Sequence, residues 1–171
     1  MDHLRALIRD VPDFPHPGIL FRDVTPLLRD PRGLAAVVEA LADRYRGRGI
    51  DAVAGIESRG FVFGAPLALA LGVGFVPVRK AGKLPAETLR REYALEYGSA
   101  VLEVHRDALA PGESVLLVDD LLATGGTARA AAGLLGELGA RVEEIAFVIE
   151  LEFLGGRRAL EPHPVHALMA Y

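Results

Sequence analysis

Thirteen consecutive residues, Val115-Leu-Leu-Val-Asp-Asp-Leu-Leu-Ala-Thr-Gly-Gly-Thr127, limit what this chain can become more than any other stretch. The apolar run Val115 to Val118 has strand character and stops in two adjacent carboxylates, Asp119 and Asp120. A short turn then carries Thr124, Gly125, Gly126 and Thr127, after which Ala131, Leu134, Leu135 and Leu138 recur at helical spacing. The junction has a specific chemistry. A helix start carries unpaired N–H groups and partial positive charge, which attract a phosphate dianion. Glycines at 125 and 126 let the backbone approach a ligand, and Thr124 and Thr127 add hydroxyl donors. Like charges keep the aspartates off the phosphate itself, so they suit ribose hydroxyls or a phosphate-bound magnesium ion. The order reads as a sugar-phosphate site rather than a plain buried strand with an N-cap at Thr127. It is not a Walker A loop, because Gly-x4-Gly-Lys-Ser/Thr is absent.

The rest of the chain repeats the alternation of strand and helix. The pattern predicts a short amphipathic helix within the first ten residues and a Pro/Gly-rich loop over 11–18. A helix is expected from about Gly33 to Tyr45, a strand over 52–56, a helix over 61–71 and a strand over 75–78. A charged loop over 79–91 precedes a hairpin whose arms, 92–97 and 100–104, flank Gly98. Strands at 145–149 and near 165–169 complete the pattern. Several strands are apolar throughout, which indicates an α/β fold with a mainly parallel central sheet covered by helices on both faces. Ligands in such folds sit beyond the carboxyl ends of the strands, where the loops after Ile56, Val78 and Val118 fall.

With 171 residues and 51% hydrophobic content, the chain suits one domain with a sizeable core. Its net charge of −4 argues against a general nucleic-acid or membrane-surface binder. No cysteine is present, which removes disulfides, thiolate metal sites and thiol nucleophiles. The charge-free stretch 60–78 matches a membrane span in length, but its prolines and glycines read better as a buried helix followed by a buried strand. The N-terminus has no continuous signal-peptide core, so the cytoplasm is the expected compartment. The five histidines show no metal-ligand spacing.

Other segments allow two readings from their residues alone. Gly55-Ile-Glu-Ser-Arg-Gly60 follows a strand and opens a helix, so it can be a second anion loop or a helix cap with a surface arginine. Arg79, Lys80 and Lys83 can stabilise departing negative charge or simply be solvated. Glu96 and Tyr97 fall on opposite faces of their strand by alternation, so one can line a cleft while the other packs or faces outward. Phe21 can offer a ring face to a base or anchor a loop in the core.

The signature segment resembles the phosphoribosyl-pyrophosphate motif of the type I phosphoribosyltransferases. Four further blocks resemble the adenine-using branch of that family: Phe14-Pro-His-Pro-Gly-Ile-Leu-Phe-Arg-Asp-Val-Thr-Pro-Leu-Leu28, Gly55-Ile-Glu-Ser-Arg-Gly-Phe61, Val78-Arg-Lys-Ala-Gly-Lys-Leu-Pro85 and Tyr93-Ala-Leu-Glu-Tyr-Gly98. The resemblance implies a single type I phosphoribosyltransferase domain over 1–171. A small N-terminal hood would come from about 1–32, and a flexible loop and hairpin cover from about 79–104. It implies transfer of the 5-phosphoribosyl group from phosphoribosyl pyrophosphate to adenine, giving AMP and pyrophosphate.

The resemblance also implies the division of labour. Residues Ala123, Thr124, Gly125, Gly126 and Thr127 would hold the 5′-phosphate, and Asp119 and Asp120 the ribose. Glu57, Ser58, Arg59, Arg79 and Lys83 would hold pyrophosphate, with a cis peptide expected at Glu57–Ser58. Residues matching Arg79 and Lys83 would reach the neighbouring subunit's site in a homodimer. Leu20, Phe21 and Arg22 would read adenine, whose amino donor and ring acceptor need one backbone carbonyl and one backbone amide. Glu96 would carry a proton at the base, Tyr97 would belong to the mobile cover, and magnesium would be held mainly by the substrate. Two alternatives stay open: another base, such as xanthine, hypoxanthine, guanine or orotate, or a nucleotide-sensing regulator on the same fold.

Overall fold

A computed structural model of the chain describes residues 2–94 and 98–171. The N-terminal segment forms a single helical turn, α1 (Asp2–Arg5), then strand β1 (Arg9–Pro12), which pairs antiparallel with β2 (Leu20–Asp23). The opening helix is thus shorter than the pattern predicts, because the chain turns at residues 6–8 and Arg9 and Asp10 are drawn into this two-stranded sheet. Helix α2 (Thr25–Arg29) leads to α3 (Pro31–Tyr45), which starts two residues before the expected Gly33. There Pro31 occupies the first turn and the Asp30 carboxylate caps the N–H groups of Arg32 and Gly33, at 2.8 and 3.2 Å.

The body follows the expected order: β3 (Ala52–Ile56), α4 (Arg59–Leu71), β4 (Gly74–Lys80), β5 (Thr88–Ala94), β6 (Ser99–His105), β7 (Ser114–Leu122), α5 (Gly126–Glu137) and β8 (Arg141–Glu150). A 3-10 turn, a four-residue helix α6 (Gly156–Ala159) and β9 (Val165–Ala170) complete it. Among the described residues the main sheet has seven strands in the order β5-β6-β4-β3-β7-β8-β9. The pairs β4/β3, β3/β7, β7/β8 and β8/β9 are parallel, and the β5/β6 hairpin is antiparallel at one edge. The stretch 79–91 is therefore only partly loop, since β4 runs on to Lys80 and β5 begins at Thr88.

Both faces of the sheet are buried, which explains the continuously apolar strands. On β7, Val115 and Leu117 join the core under α5, while Leu116 and Val118 join the core under α3 and α4. This strand does not stop at the acid pair; it pairs with β8 as far as Leu122 beside Glu150. Its alternation changes after Val118, with Leu121 facing the α3/α4 core and Leu122 the α5 core. The two aspartates occupy the stretch where the strand changes face. No helix of the described residues is long and apolar enough to cross a membrane.

Candidate functional site

Strands β4, β3 and β7 are neighbours, and the segments leaving their carboxyl ends meet in one cleft of about 400 Å³. Its walls hold Glu57, Ser58 and Arg59 after β3, Lys80 at the end of β4, Asp119 and Asp120 on β7, and Thr127 in the first turn of α5. Tyr93 on β5, with Ala100 and Leu102 on β6, closes the hairpin side. An adjoining cavity of about 220 Å³ shares Arg59, both aspartates and Thr127, and is walled by residues 121–128. Strict two-residue alternation would put only one of two adjacent aspartates in the cleft. The change of face after Val118 lets both line it.

The turn from β7 into α5 is built around Gly125. Its φ of +85° lies in the left-handed region, and a Cβ there would stand 2.7 Å from the Gly156 carbonyl oxygen. Within α5 the Arg129 N–H donates to the Gly125 carbonyl at 2.9 Å. The N–H groups of Gly126, Thr127 and Ala128 thus have no acceptor within the helix, and all three residues line the smaller cavity. Amides, a hydroxyl and a helix start meet here on one side of a polar hollow, an arrangement that suits a dianion.

Beside it lies the acid pair. Asp120 is only 3% exposed and accepts a hydrogen bond from Arg59 Nε, and its own N–H donates to Asp119 Oδ1 at 2.9 Å. The Asp119 carboxyl is pushed well above the ordinary carboxylate range, first by burial and then by the negative charge of Asp120. The Asp120 amide and the more distant Arg59 charge oppose that rise without cancelling it. Gly60 lets α4 come this close, because a Cβ there would meet the Val118 carbonyl oxygen at 2.7 Å and Asp119 Oδ1 at 3.1 Å.

The loop after β3 is tied to β4. Glu57 accepts from the Arg79 guanidinium at 3.2 and 3.4 Å and from the Lys80 N–H at 3.0 Å, while its own N–H donates to the Val78 carbonyl at 2.9 Å. Burial works to raise the Glu57 carboxyl, but these bonds outweigh it and hold the group below its usual range. The Glu57–Ser58 peptide is cis.

The expected pyrophosphate residues therefore divide. Glu57, Ser58 and Arg59 stand in the cleft, with the Arg59 guanidinium turned to Asp120. Arg79 is turned away to Glu57 and to the Lys83 carbonyl, which its Nη1 reaches at 3.2 Å. Lys83 does not line the cleft; its N–H donates to the buried Glu103 at 2.9 Å. The neighbour that does line it is Lys80, because adjacent strand residues point to opposite faces. Tyr93, Ala100 and Leu102 were not singled out either. Their signal was the same alternation, since Tyr93 pairs with Ala100 across the hairpin and Leu102 lies two residues on.

Leu20, Phe21 and Arg22 sit on β2, in the separate two-stranded sheet, and do not wall the cleft itself. The Phe21 ring lies 5.9 Å from the Arg59 guanidinium carbon, which places the hairpin next to the site. Arg22 is committed elsewhere, paired with Asp10 and stacked 4.2 Å from the Tyr171 ring, so only its backbone is available. That backbone faces outward. Pro12 opposite Leu20 has no N–H to give, so the pair cannot be the doubly hydrogen-bonded kind. By alternation the amide and carbonyl groups of Leu20 and Arg22 point to the free edge of β2. Glu96 and Tyr97 lie outside the described residues.

Residues 23–163 match the phosphoribosyl transferase domain family. An adenine phosphoribosyltransferase of Methylococcus capsulatus is 60% identical over 171 residues, covering all of both chains. One of Roseiflexus sp. is 56% identical over 169 residues, covering 99% of this chain and 98% of the relative. The crystal structure of the adenine phosphoribosyltransferase from Thermoanaerobacter pseudethanolicus superposes with a TM-score of 0.96 at 52% identity, over 99% of each chain. The Saccharomyces cerevisiae enzyme, crystallised with adenine and an imino-altritol bisphosphate, gives 0.93 at 46% identity, over 98% of this chain and 97% of that one.

Proposed function

The chain belongs to the phosphoribosyl transferase domain family, on its adenine phosphoribosyltransferase branch, and we propose that its cleft joins adenine to phosphoribosyl pyrophosphate, giving AMP and pyrophosphate. The single observation that carries this reading is the pairing of two anion-compatible loops, at 57–59 and 123–127, across one acid pair in a continuous hollow. One loop suits each phosphate end of the substrate, and Asp119 and Asp120 stand between them, where a ribose would lie.

In this reading the amides of the 123–127 turn and the Thr127 hydroxyl hold the 5′-phosphate. The aspartates accept hydrogen bonds from the ribose hydroxyls, and their negative field stabilises the oxocarbenium-like ring formed as pyrophosphate departs. Substrate binding must first separate Arg59 from Asp120, which frees the guanidinium to meet the departing pyrophosphate. Lys80 adds a cation from the opposite wall, and Arg79 and Lys83 reach the neighbouring subunit's site across the dimer. The outward backbone groups of Leu20 and Arg22 supply the acceptor and donor that adenine needs, with Phe21 alongside. Hypoxanthine reverses that polarity and leaves both groups unpaired beneath the bound base, which favours adenine strongly. Glu96 remains the proton carrier at the base, with Tyr97 in the cover; full activity of Glu96→Leu across the pH range would remove Glu96 from the mechanism.

Magnesium is part of this reading. A hard divalent ion takes about six oxygen ligands. The acid pair offers few, with Asp120 engaged by Arg59, so substrate oxygens and water must supply most of them. When bound, the ion neutralises charge on the pyrophosphate leaving group.

The same reading makes the chain a homodimer working in the cytoplasm. Helix α4 supports the dimer: Val62, Ala65 and Leu69 form an exposed apolar stripe at helical spacing, with Leu69 83% exposed. Sedimentation as a monomer at micromolar concentration would reject that part. The activity is tested by pyrophosphate release with each purine in turn. Adenine should turn over at least about 100-fold faster than hypoxanthine; equal rates would reject the choice of base.

A further inference from the structure

The 123–127 turn has a backing wall that lines neither cavity. Gly156 opens the four-residue helix α6, and the contact it makes is backbone against backbone. A Cβ on Gly156 would collide with the Ala123 carbonyl oxygen and stand 2.8 Å from the Leu122 side chain. In the other direction, a Cβ on Gly125 would stand 2.7 Å from the Gly156 carbonyl and 3.1 Å from the Ala159 methyl. The turn and α6 thus meet at backbone distance, flanked by the Leu122 and Ala159 side chains, and the position of one fixes the other.

A short helix alone is a weak abutment, but this one is clamped. Arg157 Nε donates to Glu150 Oε1 at 2.7 Å and its Nη2 donates to Oε2 at 2.6 Å, a two-pronged pair. The Arg157 Nη1 donates to the Val165 carbonyl at 2.7 Å. Glu150 is 3% exposed and lies beside Leu122 in the β7/β8 register, while the Leu151 N–H donates to the Leu122 carbonyl at 2.9 Å. The clamp is therefore anchored on the strand neighbouring the residue from which the turn departs. The circuit closes: end of β7, end of β8, Glu150, Arg157, Gly156, and back to Ala123 and Gly125.

We infer that Gly156, held by the Glu150–Arg157 pair, is a positioning residue that sets the curvature of the 123–127 turn and thereby tunes affinity for the sugar-linked phosphate. This rests on the reading of that turn as the 5′-phosphate loop. Moving a turn by a few tenths of an ångström misaligns several amides at once, so the effect falls on one end of the substrate. The 57–59 loop belongs to β3 and α4 and is not part of the circuit, so pyrophosphate binding stays as it was.

The test measures calorimetric affinity for ribose 5-phosphate and, separately, for magnesium pyrophosphate, with thermal unfolding as a control. Gly156→Ala should weaken ribose 5-phosphate at least tenfold and leave pyrophosphate within twofold. Arg157→Met should show the same selectivity, and Arg157→Lys should recover part of it by restoring one prong. Equal loss of both ligands, or unchanged ribose 5-phosphate binding in a folded Gly156→Ala protein, would overturn the inference. Should Gly156→Ala not fold, the Arg157 pair of variants decides by the same criterion. Thr127→Val separates the two levels: if it leaves ribose 5-phosphate affinity untouched, the phosphate-loop reading itself falls. If it weakens binding while the Gly156 and Arg157 variants do not, only the positioning role falls.

Discussion

Strands β7 and β8 lie side by side and carry buried acids at both ends of their pairing, in opposite circumstances. Near the start of β8, Glu144 receives the Arg44 guanidinium at 2.9 Å on each oxygen and Arg48 at 3.3 Å. Burial works to raise its carboxyl, but the Arg44 hydrogen bonds and the Arg44 and Arg48 charges outweigh that and hold it at about 2. At the far end, Asp119 and Asp120 share one arginine, Arg59, whose side chain is 48% exposed. There burial and mutual repulsion win, and Asp119 is driven upward. The same residue chemistry stabilises the fold at one end and works against it at the other. An acid whose partners are all internal has nothing left to bind, whereas an underpaired one can take a ligand.

The largest expected effect comes from Asp120→Ala, which should lower turnover by about 100-fold or more while the protein stays folded. Circular dichroism and a pyrophosphate-release assay check both halves, and near wild-type rates would erase the distinction between the two ends. The mirror experiment, Glu144→Ala, should cost about 2–3 kcal/mol of stability, because it strips the partner from Arg44, while turnover per folded molecule holds. Urea titration reads the first quantity and active-site titration the second.

Glu144 also sharpens the comparison through pH. Its folded value lies below its unfolded one, so its contribution is complete above about pH 4.3 and is lost as pH falls toward about 2. Glu144→Gln should therefore be less stable at neutral pH but should lose less stability between about pH 4 and 2. Among the groups facing it, the Glu144 hydrogen bond raises Arg44 and burial raises Tyr45, both away from that window, while burial and Arg44 lower His166. Asp119 has the opposite sign. Its folded value is above its unfolded one, so stability falls as pH rises from about 4 through the raised value. Asp119→Asn should gain roughly 1 kcal/mol at neutral pH, keep its bond from the Asp120 amide, and lose activity. The smallest effect belongs to Lys80→Ala, expected to raise the KM for phosphoribosyl pyrophosphate by only about fivefold, less at high salt, since this cation is exposed.

Much of this molecule was legible in its sequence, for physical reasons. Continuous apolar runs marked β3, β7 and β8, and the glycine turn after Asp120 marked the start of α5, because Gly125 takes a left-handed conformation there. Element ends were harder. The acid pair looked like a strand terminus, yet β7 runs on to Leu122, since backbone pairing with β8 continues beneath polar side chains. Strand β1 was hidden because a four-residue strand that ends in Pro12 has no strong pattern of its own. In the site, the choice of Lys80 over Arg79 as the cleft cation depended on strand phase, which a charge cluster does not reveal. The contribution of Gly156 was invisible because it lies some thirty residues from the turn it touches and carries no side chain to announce it.

The most direct test is a crystal structure with AMP bound. The phosphate oxygens should lie within about 3 Å of the amides at residues 125–127 and the ribose hydroxyls on Asp119 and Asp120, with Arg59 released from Asp120. Phosphate density at residues 57–59, with the 123–127 turn empty and the Arg59–Asp120 pair intact, would contradict it.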